Sequence, residues 1–101
     1  MSTWDNENTN DLIEALLMLQ NKTEAKKFLR DLCTEHEILE FGKRWKAARM
    51  LDEKIPYTKI IETTGLSSTT VARISDWLKN GMGGYKLMFQ KIKNHNQSVE
   101  T

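Results

Sequence analysis

Apolar residues recur along this chain every three or four positions, in short runs that end at glycine, proline or polar clusters, and that period predicts helices. From about residue 10 to 20, Leu12, Ile13, Leu16, Leu17 and Leu19 cover more than one helical face, so this segment must be buried on several sides. In a chain of 101 residues, a second subunit is the natural place for it. Thr23 offers an N-cap for a second helix to about residue 32, with Ala25, Phe28, Leu29 and Leu32 on its inner face. The capping box T-E-H-E at 34–37 opens a third helix. That helix continues to about residue 53, with Ile38, Phe41, Trp45, Ala48 and Leu51 or Asp52 marking successive turns. Its other face carries Lys43, Arg44, Lys46 and Arg49, either a solvated face or a contact for phosphate or ligand. Tyr85, Leu87, Met88 and Ile92 fit a short closing helix. Residues 1–9 and 94–101 read as flexible tails around one helical domain over 10–93, with Trp4 docking on a neighbouring surface. No strand pattern stands out, so the predicted fold is all-α with about six short helices.

Between residues 57 and 80 the pattern is more specific. Pro56 suits the first turn of a helix whose buried side is Ile60 and Ile61. Gly65 stands where that helix must end, because glycine takes the left-handed C′ position without penalty. Leu66 is a hydrophobic plug under the turn, and Ser67 is a natural N-cap for the helix after it. Val71, Ile74 and Leu78 make that helix's apolar stripe. Facing outward are Ser68, Thr69, Thr70, Ala72 and Arg73, with no carboxylate before Asp76. A helix entering the DNA major groove presents its N-terminal residues to base edges, while the helix before it crosses the phosphate backbone. Short side chains allow close approach there, and Arg73 reaches a guanine or a phosphate. Two ordinary amphipathic helices joined by a glycine turn are the competing reading. The turn glycine, the plug, the Ser/Thr run and the apolar register together favour DNA.

Charge changes the picture through its distribution. The formal net charge is only +1. Residues 1–40, however, hold four Lys/Arg against nine Asp/Glu, a balance of −5, while residues 41–101 hold eleven against five, a balance of +6. The basic part contains the helix-turn-helix, as phosphate neutralisation requires. A single cysteine, Cys33, excludes an internal disulfide and suits a reducing cytoplasm. No apolar run is long enough to span a membrane, and the start MSTWDNENTN lacks signal-peptide character. A soluble, cytoplasmic protein is expected.

Catalytic and metal chemistry find no constellation. Cys33, His36 and His95 are too few and scattered for a metal site. Glu35, Glu37 and Glu40 sit where a helix N-terminal dipole favours carboxylates. Gly81-Met82-Gly83-Gly84 lacks the preceding strand and following Lys-Ser/Thr of a phosphate cradle, and reads as a turn. No enzyme, cofactor or metal is expected.

The residues now on the page carry a resemblance. The capped helix with Gly42 and Arg44, the turn T-G-L-S at 64–67, the helix S-T-T-V-A-R at 68–73 and G-x-G-G-Y at 81–85 resemble the Trp repressor superfamily, and as a whole its TrpR-like YerC/YecD branch. The resemblance implies an intertwined homodimer with two reading heads in successive major grooves of a palindromic operator. By position it places Thr58 and Ile61 of the first helix, and Ser68, Thr69, Thr70 and Ala72 of the second, against DNA. Ile61 stands where the repressor has a lysine, so the target sequence should differ from the tryptophan operator. Ser67, Lys59 and Arg73 complete the DNA set, Lys59 as a contact blind to sequence. The resemblance also marks an effector pocket: Arg44 and Arg73 match the two arginines that flank the corepressor, and Thr34 a threonine that contacts it. Ile74 replaces a glycine beneath the ligand and Trp77 a serine, so either side chain is expected to fill space that free tryptophan would occupy.

The expected function is therefore a dimeric, sequence-specific DNA-binding transcriptional regulator, a repressor by resemblance, that does not respond to L-tryptophan. Whether another small-molecule effector binds stays open. The alternative is a helical adaptor that docks the same helix-turn-helix surface on another protein.

Overall fold

The computed structural model describes the backbone of residues 3–100 and the side chains of residues 3–96. Residues 1–2 and 101, the outermost parts of the two expected tails, lie outside the described residues. Six helices follow one another: α1 (Glu7–Leu17), α2 (Lys22–Leu32), α3 (Glu35–Asp52), α4 (Tyr57–Thr64), α5 (Ser68–Asn80) and α6 (Gly84–Glu100). The chain gathers into two compact units, Met1–Ile38 and Leu39–Thr101.

In the first unit, α1 starts at Glu7 rather than near residue 10, because the Asn6 side chain accepts the Thr9 N–H at 2.9 Å. Trp4 stands just outside, half exposed, its carbonyl accepting from the Asn6 N–H at 3.1 Å. The cap of α2 is Asn21, not Thr23. Asn21 Oδ1 accepts from the Glu24 N–H at 2.9 Å, and Glu24 reaches back to the Gln20 N–H at 3.0 Å. The capping box that opens α3 is present in both directions: the Glu37 N–H donates to Thr34 Oγ1 at 3.1 Å, and the Thr34 N–H to Glu37 Oε1 at 2.9 Å. Neither α1 nor α2 contains a buried residue, for all their leucines.

The second unit has the core. Ala47, Ala48, Ile60, Leu66, Val71 and Ile74 are buried together, with Met50, Leu51, Ile55, Ile61, Tyr85 and Phe89 packed half-buried around them. Of the expected α3 face only Ala48 is fully enclosed, beside Ala47, which the pattern did not mark, and Phe41 remains 49% exposed. Trp45 holds α6 to α3, with ring centroids 6.2 Å from Tyr85 and 5.2 Å from Phe89. α3 ends in a left-handed turn in which Lys54 (φ 64°) donates to Leu51 O at 3.0 Å and Ile55 to Met50 O at 3.0 Å. The segment expected as a tail from residue 94 is helical as far as Glu100. Its polar composition offers no glycine or proline to stop a helix already running.

Candidate nucleic-acid interface

The turn between α4 and α5 is tied by short-range bonds. Gly65 takes φ 76°, and its N–H donates to Ile61 O at 2.9 Å. Thr64 is buried; its hydroxyl donates to Ile60 O at 2.7 Å and accepts from the Leu66 N–H at 3.2 Å. One threonine therefore bridges the end of α4 to the plug residue, a role the sequence pattern had not assigned. Leu66, 5% exposed, sits against Ile60, Val71 and Ile74. Ser67 caps α5 as expected, accepting from the Thr70 N–H at 3.1 Å. Its hydroxyl also donates to Thr70 Oγ1 at 3.0 Å, which leaves the Thr70 proton free to point elsewhere.

With Val71 and Ile74 drawn into the core, α5 turns the other side of its first two turns outward. Ser68, Thr69, Ala72 and Arg73 are exposed and Thr70 is half-buried. On α4, Thr58 and Lys59 are exposed while Ile61 is half-buried beside the core. Lys59 and Arg73 have no carboxylate partner among the described residues. Asp76, the nearest acid along α5, accepts from Asn80 at 2.8 Å. The exposed face of α5 is thus small, rich in hydroxyl donors and acceptors, and without a carboxylate before Asp76.

The five pocket residues differ in their surroundings. Ile74 is wholly inside the core and presents nothing to a surface pocket. Trp77 is 44% exposed and lines an apolar cleft of about 550 Å³ with Trp45, Gly81, Met82, Tyr85 and Met88. Arg73 is exposed, and Arg44 is half-buried with a buried Nε that lacks a partner. Thr34 belongs to the first unit, its hydroxyl engaged in the α3 cap. The aromatic cleft escaped the sequence reading because its walls come from α3, α5 and α6. Among the described residues no three of His, Cys, Asp and Glu come together to hold a metal, and no helix is long and apolar enough to cross a membrane.

Fold and head together define an all-helical protein built around a helix-turn-helix with an exposed second helix. Comparison with known proteins makes this specific. The family model described as Trp repressor protein matches residues 7–93. A Bacillus subtilis (strain 168) protein, the uncharacterized YerC, is 35% identical over 82 residues, covering 81% of this chain and 79% of its own. The crystal structure of a TrpR-like protein from Eubacterium eligens ATCC 27750 superposes with a TM-score of 0.85 at 34% identity, covering 89% of this chain and 93% of that one. A Staphylococcus aureus crystal structure also gives 0.85, at 26% identity, over 92% of this chain and 96% of that one. The chain belongs to the Trp repressor family and has its fold.

Proposed function

We propose that this protein is a sequence-specific DNA-binding transcriptional regulator, a repressor, that works as an intertwined homodimer on a palindromic operator. The carrying observation is the first two turns of α5: Ser68, Thr69, Ala72 and Arg73 face outward from a head whose turn is fixed by Thr64, Gly65 and Leu66. Membership of a family named for a repressor points the same way. Ser68, Thr69 and Thr70 read base edges; Thr58, Lys59 and Arg73 hold phosphates; Ser67 orients Thr70; Ile61 and Ala72 supply apolar contact.

The dimer is supported by what each unit leaves uncovered. α1 and α2 bury no residue, and Ile13, Leu16, Leu17, Met18 and Leu32 are exposed on them. The second unit exposes Leu39, Phe41, Leu87 and Ile92. Exposed apolar residues in such numbers support an interface with a second copy of the chain. Charge adds to this, since the acidic part of one chain complements the basic part of another.

The effector reading follows from the departures already described. Trp77, bulkier than the serine the resemblance expects there, is 44% exposed and lines an apolar cleft, which supports a head positioned without free L-tryptophan. Calorimetric titration with L-tryptophan should be flat, and stoichiometric micromolar binding would defeat this part of the reading.

Selection of bound sequences from a random duplex library tests the whole. The expected product is a palindrome whose half-sites lie about one helical turn apart. Thr69→Glu with Thr70→Glu should abolish binding to it, and unchanged binding by that variant refutes the assignment.

A further inference from the structure

A second cleft of the same unit, about 460 Å³ in volume, lies beside the start of α4 and has no part in the reading of bases. Its walls bring together Lys54 from the turn after α3, Lys79 from the last turn of α5 and Lys86 from the first turn of α6, with Tyr57 and Ser75 between them. Asp52 is the one carboxylate on the lining, against three ammonium groups. None of the three lysines has an ion-pair partner among the described residues.

Two further features point to an anion. Pro56 is the N-cap of α4 and makes no side-chain cap bond. Pro56 O takes the N–H groups of Lys59 and Ile60 at 3.1 Å each, so those of Tyr57 and Thr58 are left facing out from the helix start. Such an end carries partial positive charge. Independently, Ser75 is only 8% exposed and lines the cleft, and its hydroxyl makes no hydrogen bond among the described residues. That oxygen is not among the atoms fully sealed from solvent without a partner, so it keeps contact with solvent, and its residue is part of the cleft lining.

We propose that this cleft binds a phosphoryl group, gripped by Lys54, Lys79 and Lys86 and hydrogen-bonded by the α4 amides and Ser75. Donors from several elements suit a tetrahedral group with acceptor oxygens in every direction better than a planar carboxylate, whose oxygens lie on one side. The phosphoryl group comes either from the backbone of a duplex lying under α4 or from a free phosphomonoester. The duplex source rests on the DNA-binding reading above; the free source does not.

The experiment uses the full chain and inorganic phosphate, titrated at constant ionic strength and followed by the amide resonances of Tyr57, Thr58 and Ser75. Lys79→Ala with Lys86→Ala is the test variant, and Lys26→Ala with Lys27→Ala on α2 is the charge-matched control. In parallel, duplex affinity is measured against salt for all three proteins. Saturable shifts in wild type and control, weakened about tenfold in the test variant, establish the site. If the variant's duplex binding and salt slope are then unchanged, the source is a free phosphomonoester. If the slope falls by about two units in that variant alone, the source is the duplex backbone. No saturable shift together with an unchanged slope overturns the proposal, and so does an equal response in the variant and the control.

Discussion

Replacing Leu66 by alanine puts the turn between α4 and α5 to a quantitative test. The side chain is 5% exposed, and its neighbours in the core, Ile60, Val71 and Ile74, are at 0%. Alanine lacks three of its carbons, which at about 0.8 kcal/mol each cost about 2.4 kcal/mol of transfer free energy. The walls cannot close fully on the space, because the Thr64 and Gly65 bonds fix the end of α4 before it and the Ser67 cap fixes the start of α5 after it. A residual cavity therefore adds about 1 kcal/mol, for a total of about 3–4 kcal/mol, inside the range for buried Leu→Ala changes. In a domain of this size that lowers Tm by on the order of 20 °C.

The assay is thermal unfolding by far-ultraviolet circular dichroism at one protein concentration, since association makes Tm concentration-dependent. Two companions separate packing from contact. Leu66→Met keeps volume and should cost less than about 1.5 kcal/mol. Thr69→Ala, on the exposed face, should leave stability within about 0.5 kcal/mol while relaxing sequence discrimination on DNA. At a temperature where both are folded, Leu66→Ala should weaken duplex binding without Leu66 reaching DNA. A loss below about 1 kcal/mol for Leu66→Ala refutes the claim that this plug sets the head.

Thr64→Val keeps the shape but leaves the buried Leu66 N–H without its acceptor, and should cost about 1–3 kcal/mol in urea unfolding. Gly81→Ala drives a Cβ into the Trp77 carbonyl oxygen that also accepts the α5 C-cap bond, and should destabilise by about 1–3 kcal/mol. Gly42→Ala, in open space on α3, should instead stabilise by up to about 1 kcal/mol. The Thr34 backbone N–H foremost, then the Thr34 hydroxyl and the nearby His36, hold the Glu37 carboxyl below the usual carboxylate range. A carboxyl whose folded pKa is lowered contributes fully above its unfolded pKa, and that contribution drains away as pH falls through the folded value. The stability difference between wild type and Glu37→Gln should therefore shrink on acidification, and a difference independent of pH refutes the capping role.

What the chain revealed in advance and what it hid divide along sequence separation. Gly65, Ser67 and the Thr34–Glu37 box each act on atoms within four residues, and each stands as the pattern placed it. The misplaced cap of α2 belongs to the same class and was readable: Glu24 follows Asn21 by three residues, completing a reciprocal cap, whereas Lys26 follows Thr23. Periodicity fails differently. It marked an apolar face on α3, but a period cannot say which part of a face is covered. The core closes over Ala47 and Ala48, where small side chains let helices approach, and leaves the bulkier Phe41 and Leu39 outside. Trp77 and Ile74 show the same limit at the site: three residues apart on one helix, one is sealed in the core and the other lines an open cleft. The lysine cleft lies beyond any local rule, since residues 54, 79 and 86 meet only through the packing of three elements. The proposed reading head at the α5 N-terminus is therefore legible because a helix end forms it, and the clefts are illegible because helices must first be placed against each other.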